Sequence, residues 1–258
     1  MRTKVLVAVL ALAVTACTTT GSGPPTSPAT SAISAAVADA ARPAADSERD
    51  GDRKPAQMLV FSGVKPGSRV VDLIPGGGYF TRLFSVAVGT SGRVYAYVPD
   101  ELTKRANRPP SVSAIAADPH YANVSVILKK LSDFSAPEQV DVVFTAQNYH
   151  DLYNKFLGPA DVPALNRAVF RSLKPGGVYV IIDHSAVSGA GTSVTETLHR
   201  IEAARVKADV EAAGFVLEAQ DQSLVNAADS RKVGVFDPSI RGHTDQFVYR
   251  FRKPKSAR

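Results

Sequence analysis

Residues 70–81 constrain the fold more than any other stretch of the chain. Val70, Val71 and Leu73 form a short apolar strand that carries Asp72. Ile74 and Pro75 then lead into Gly76, Gly77 and Gly78, and Tyr79, Phe80 and Thr81 open a helix. Consecutive glycines let the backbone turn tightly and approach a ligand closely. A helix start adds unpaired N–H groups at the same place. In this order, strand, acid, glycine bend and helix predict a nucleoside-bearing cofactor over the end of the first strand.

The rest of the chain repeats the alternation. Strand-length apolar runs are predicted at 69–73, 93–98, 124–128, 140–145, 177–182, 215–219 and 246–252. The middle runs, such as Val140 to Phe144 and Val178 to Ile182, are nearly continuous, as suits parallel strands covered on both faces. Helical signals fill the gaps. Tyr79 to Val88 ends at Gly89, and Ala160 to Leu173 ends before Lys174, Pro175, Gly176 and Gly177. Ser193 and Glu196 have capping-box spacing ahead of Val194, Leu198, Ile201, Ala204, Ala208 and Ala212, which predicts one helix closed by Gly214.

The N-terminus reads differently. Arg2 and Lys4 precede the apolar run Val5 to Val14, and Thr15, Ala16 and Cys17 follow. That pattern predicts a secretory signal over 1–16, with an apolar core too short to span a bilayer. Val14 to Cys17 also resembles a bacterial lipobox, which implies acylation of Cys17, the only cysteine in the chain. A lone cysteine excludes an intramolecular disulfide. The Thr-, Ser-, Ala- and Pro-rich stretch that follows predicts a flexible tether over 17–48, with transient helix over Ser31 to Ala41, leaving a single domain over 49–258. The expected location is therefore the periplasm or a membrane surface, with membrane contact through the lipid alone. The net charge of +6 falls to +4 without Arg2 and Lys4, and the basic residues are scattered, so no nucleic-acid partner is expected.

Taken together, several motifs resemble class I methyltransferases that use S-adenosylmethionine. They are Asp72 with its glycine bend, Leu173 to Gly177 before the fifth strand, and Ala213, Gly214 and Phe215 before the sixth. Pro75 to Thr81, Asn148 to Asp151, Asp183 with His184, and Leu198 to Arg200 are more specifically similar to a bacterial group of secreted predicted methyltransferases. The resemblance implies an α/β, doubly wound, Rossmann-like, mostly parallel sheet of seven strands in the order 3-2-1-4-5-7-6, the last antiparallel. It implies S-adenosylmethionine as cofactor, held by Asp72, Pro75, Gly76, Gly77, Gly78, Tyr79, Asp100, Asp133 and Asn148. The chain departs from the family pattern twice. Ile74 holds an earlier glycine position, and Val98 stands where an acid usually accepts the ribose hydroxyls, with Asp100 and Glu101 just downstream.

Four of the five histidines lie where such a fold builds its rim. His150 and Asp151 follow strand four, Asp183 and His184 end strand five, His199 follows the capping box, and His243 precedes the last strand. His150, Asp151, Asp183 and His184 form the expected catalytic set, with His150 as a general base of near-neutral pKa and Asp183 or His184 orienting it. The same four side chains offer nitrogen and oxygen donors to a metal, but their spacing matches no known metal signature, and none is assigned. The expected reaction is methyl transfer to a small molecule or an envelope component. The competing expectation is a methyltransferase fold that has lost the reaction and serves as a binding or sensing lipoprotein. An exported enzyme would also need a supply of a cofactor made in the cytosol.

Overall fold

The structure is a computed structural model that describes residues 27–157 and 160–255. The predicted signal, Cys17 and the stretch through residue 26 lie outside the described residues. Seven strands form one sheet: β1 Arg69–Leu73, β2 Arg93–Pro99, β3 Val124–Lys129, β4 Val140–Ala146, β5 Leu173–His184, β6 Val216–Asp221 and β7 Gln246–Arg252. Their order is β3-β2-β1-β4-β5-β7-β6. The pairs from β3 to β5 are parallel, and β7 runs antiparallel to both β5 and β6. The order reverses between β1 and β4, which opens a crevice at their C-terminal ends.

Both sheet faces are covered, which explains why the central strands carry no polar alternation. On one face Val70, Ala96, Phe144, Val180 and Val248 pack under the helix Tyr79–Val88. On the other, Val71, Tyr97, Val143, Tyr179 and Phe251 pack under the helix Val162–Ser172 and the helix Ala203–Glu211. Phe80, Phe84 and Phe144 form an aromatic cluster, with ring centroids 4.6 Å and 5.0 Å apart for the two contacts to Phe144. No helix among the described residues is long and apolar enough to cross a membrane.

Two expectations need correction. The predicted tether is structured from residue 27 onward. Ser27 caps the helix Pro28–Val37, with proline in its first turn, and Ile33 and Ala36 from that helix are buried in the core. Arg42 pairs with Asp50 at 2.6 Å, and Asp46 pairs with Arg82 at 3.0 Å, which straps residues 39–50 across the same face. The composition is poor in large apolar groups, but one well-placed isoleucine contributes roughly 1.5–3 kcal/mol on burial. The predicted helix beginning at Val194 is also interrupted. It forms as Thr195–Leu198, stops at His199 with φ +53°, and resumes at Ala203–Glu211. Between the two pieces Ile201 bridges to Ser185 beside the end of β5. The Ser193 hydroxyl donates to the Ala190 carbonyl instead of capping.

Gly78 has φ +81°, and a Cβ there would sit 2.2 Å from Ile115 Cδ1, whereas Gly77 faces open space without a left-handed φ. Gly78→Ala is expected to cost about 1–3 kcal/mol and Gly77→Ala under about 1 kcal/mol. Urea denaturation of the two variants against the parent checks the difference.

Candidate functional site

The elbow after β1 is built from strained and tethered backbone. Ile74, at the position where the resemblance implies glycine, adopts φ +59°, and Gly76 follows at φ +57°. A β-branched residue in this region is uncommon and costs on the order of 1–3 kcal/mol, so the surroundings must hold it. They do so from two sides. The Ile74 amide donates to the Tyr97 carbonyl at 2.9 Å, and the Asn148 side-chain amide donates to the Ile74 carbonyl at 2.8 Å. Asn148 also bonds the Ala146 carbonyl at 2.6 Å, so its nitrogen is spent on locking the β4 loop to the elbow. Beneath the elbow, Thr81 donates to Asp72 at 2.6 Å. Burial raises the Asp72 carboxyl to about 6, against the opposing pull of the Thr81 hydroxyl and Arg53.

A cavity of about 430 Å³ opens on the elbow, lined by Ile74, Pro75, Gly76, Gly77, Val98 and Leu102 among others. Three of the residues expected to hold a cofactor, Pro75, Gly76 and Gly77, therefore line a hollow of ligand size. The remainder are placed differently. Gly78 is packed against Ile115 and Val112. Tyr79 is buried, donates its hydroxyl to Asp50 at 2.5 Å, and has the Arg53 guanidinium 4.4 Å from its ring centre. Asp100 pairs with Lys104 at 2.5 Å, and Asp133 is exposed and bonded to Ser132, so neither lines the hollow. The neighbouring Glu101 does not line the hollow either, but its Oε2 is buried with no hydrogen-bond partner among the described residues.

At the ends of β4 and β5 the expected four residues converge. Both nitrogens of His150 face carboxylates: Nδ1 lies 2.8 Å from Asp183 Oδ1, and Nε2 lies 3.1 Å from Asp151 Oδ1. Burial opposes a charge here, but the two carboxylates outweigh it and raise His150 to about 10. This corrects the expected near-neutral general base, since Asp183 and Asp151 together hold the ring's proton at neutral pH. Asp183 is itself held below the usual carboxylate range, its burial overcome by the His150 charge and by hydrogen bonds. His184 behaves oppositely. Burial lowers it to about 4, so it is neutral at pH 7, with Nδ1 2.7 Å from the Thr244 hydroxyl. His199 joins the group with Nδ1 3.7 Å from Asp151 Oδ1, while exposed His243 instead faces Asp52 at 3.2 Å. Arg200 is fully buried and paired with Asp229 at 2.8 Å, which makes it a structural pin for the loop before β7.

Arg53 is the main residue that the sequence did not single out. It bonds Gln147 at 3.3 Å, and with Phe80, Ala146, Ile182, Leu224 and Gln246 it lines a hollow of only about 10 Å³. Burial lowers its guanidinium to about 10, so it remains charged at neutral pH. Its position next to the predicted tether hid it, since nothing local marks a cation that folds back over a strand end.

The Asp72 shift has a consequence for stability. Its folded pKa of about 6 lies above the ordinary 3.8, so ionisation is resisted in the folded state. Stability is fully present below about pH 4 and falls as pH rises through 6. Asp72→Asn is expected to be more stable than the parent at pH 7.5, by up to about 3 kcal/mol, and equal to it near pH 3.5. Urea melts at the two pH values test the sign.

No family model matches the chain. A stretch of 133 residues, half of this chain, is 28% identical to the ubiquinone/menaquinone biosynthesis C-methyltransferase UbiE of Hydrogenovibrio crunogenus. That match spans about half the length of the curated relative, 47%. Among solved structures, a SAM-dependent methyltransferase from Aquifex aeolicus superposes with TM-score 0.56 at 21% identity, covering 80% of this chain and 92% of that one. The N-methyltransferase NodS of Bradyrhizobium japonicum superposes at 0.52 and 14% identity, covering 79% and 97%. The cyclase SpnF superposes at 0.55 and 16%, covering 80% and 81%, so this architecture is not confined to structures named as methyltransferases. What these likenesses establish is the architecture, and the chain has the seven-stranded fold of the class I S-adenosylmethionine-dependent methyltransferases.

Proposed function

We propose that this chain transfers a methyl group from S-adenosylmethionine to a small molecule or an envelope component. The observation that carries the reading is the elbow hollow of about 430 Å³ at the C-terminal ends of β1 and β2. It lies beside the strand-order reversal, where open α/β sheets take their ligands. The apolar walls formed by Ile74, Val98 and Leu102 suit an adenine ring. Glu101, whose orphaned oxygen lies outside the hollow but beside its lining residue Leu102, is the acid that would turn to the ribose hydroxyls in place of Val98. Arg53, half-buried beside the small hollow over β4 and β5, is the cation available to the cofactor's carboxylate. Methyl transfer is a displacement governed by alignment. In this reading Asp72, Thr81 and Asn148 hold the elbow rigid, and His184 presents a neutral imidazole at the rim.

The reading extends to location. The signal over 1–16 and the lipobox-like Cys17 support export and acylation, as in the bacterial secreted group that the motifs resemble. Mass spectrometry of the membrane fraction tests this, because an unmodified Cys17 overturns it.

One observation favours the second reading, a binding module without turnover. The hollow over β4 and β5, where an acceptor would approach the methyl group, is filled by Arg53, Phe80 and Gln147. Calorimetry with S-adenosylmethionine and its demethylated product separates the readings when paired with methyl-release assays on envelope extracts. Glu101→Gln is expected to weaken cofactor binding about 10–100-fold, and Asp100→Asn to leave it within about twofold. Equal behaviour of the two variants removes Glu101 from the ribose role.

A further inference from the structure

His150, Asp151 and His199 present one donor atom each, and the three atoms lie within 4.8 Å of one another. His150 opens the 3₁₀ turn His150–Tyr153 after β4, and Asp183 fixes its ring. The Asp183 carboxylate accepts the His150 backbone N–H at 2.6 Å and faces Nδ1 at 2.8 Å. That contact assigns the ring proton to Nδ1 and turns Nε2 toward Asp151 Oδ1, 3.1 Å away. His199 reaches the same oxygen with Nδ1 at 3.7 Å. It does so from a left-handed backbone, φ +53°, at the break between two helices. That conformation ends the helix Thr195–Leu198 at His199.

We propose that His150 Nε2, Asp151 and His199 Nδ1 bind one divalent first-row transition metal ion. Two imidazoles and one carboxylate form a mixed nitrogen and oxygen set suited to Zn²⁺ or Fe²⁺, and unlike the all-oxygen shells of Ca²⁺ and Mg²⁺. Ligands held about 2.0–2.1 Å from a metal in tetrahedral or octahedral array lie about 2.9–3.4 Å from each other. The observed 3.1 Å falls in that range, and His199, 3.7 Å from Asp151 and within 4.8 Å of the His150 donor, closes on the ion by moving inward. Asp183 is the outer carboxylate that orients a ligating imidazole, a positioning residue rather than a ligand. His184, which the sequence also offered as a donor, is turned to Thr244. Three protein ligands leave at least one coordination position open. The side chains of Asp151 and His199 are 17% and 29% exposed, so the ion enters from their side, past Phe236, which meets the His199 ring edge-on at 5.0 Å.

The proposal is independent of cofactor binding and is tested without it. The protein is purified without a histidine tag, stripped with a chelator and titrated with Zn²⁺ by calorimetry and with Co²⁺ by visible absorption at pH 7.5. One ion per chain with micromolar or tighter affinity is expected, along with a Co²⁺ d–d spectrum of nitrogen and oxygen ligation. His199→Ala and Asp151→Asn are each expected to weaken binding at least tenfold, and Asp183→Asn about 10–100-fold. His243→Ala, at an exposed histidine elsewhere, should change nothing. His150→Ala removes a buried ring, so the partly exposed His199 carries the decision, with circular dichroism confirming its fold. Absence of one-to-one binding at about 100 µM metal, roughly a hundredfold above the expected affinity, overturns the proposal. So does undiminished binding in both His199→Ala and Asp151→Asn, in which case the cluster is an ion-paired histidine and nothing more.

Discussion

The rim of the site depends on one buried carboxylate. Asp183 is fully enclosed at the end of β5, and its two oxygens collect the His150 backbone amide, the His150 ring and the His184 amide. These contacts join the turn after β4 to the end of β5, where the parallel ladder has finished. An enclosed charge is tolerated only where it is paired and hydrogen-bonded, and each of these donors meets that demand. Replacing one member leaves the others buried without partners, so the group behaves as a unit.

The elbow follows a second logic, in which stability is given up for shape. Ile74 occupies a left-handed conformation that a glycine would adopt freely, and Asp72 is buried where its charge is resisted. Neither arrangement helps the fold by itself. Asn148 and the Tyr97 carbonyl restrain the backbone, and Thr81 and Arg53 compensate the acid in part. Costs of this kind gather at ligand sites, where the protein exchanges some stability for a prearranged surface.

The sheet was legible because its signals are local and repetitive. β1 and β7 fall at the predicted bounds, and the other strands differ at their ends, most of all β5, which begins at Leu173. The convergence of His150, Asp151, Asp183 and His184 was also legible, since strand ends in this architecture share one rim. Their chemistry was not. Sequence places a histidine near carboxylates but does not say that both ring nitrogens face one, and that is what holds its proton so firmly. Arg53, and the docking of the helix Pro28–Val37 that reads in the sequence only as transient helix over 31–41, were hidden for a related reason. Each acts through distant partners, Gln147 for the first and the helix Tyr79–Val88 for the second, and no spacing along the chain announces such a contact. The break at His199 was missed because a capping pattern fits a long helix as well as a short one, and only the pairing of Ile201 with Ser185 selects between them.

The ordered helix beginning at Pro28 sets how far the body could stand from a lipid attached at Cys17. About ten residues separate the two, and covalent geometry limits their span to roughly 35 Å however they are arranged. On such a leash the domain would work within a few nanometres of a bilayer and could not patrol the compartment. Its reach would then favour lipid headgroups, nearby wall polymers and solutes that diffuse to the membrane face.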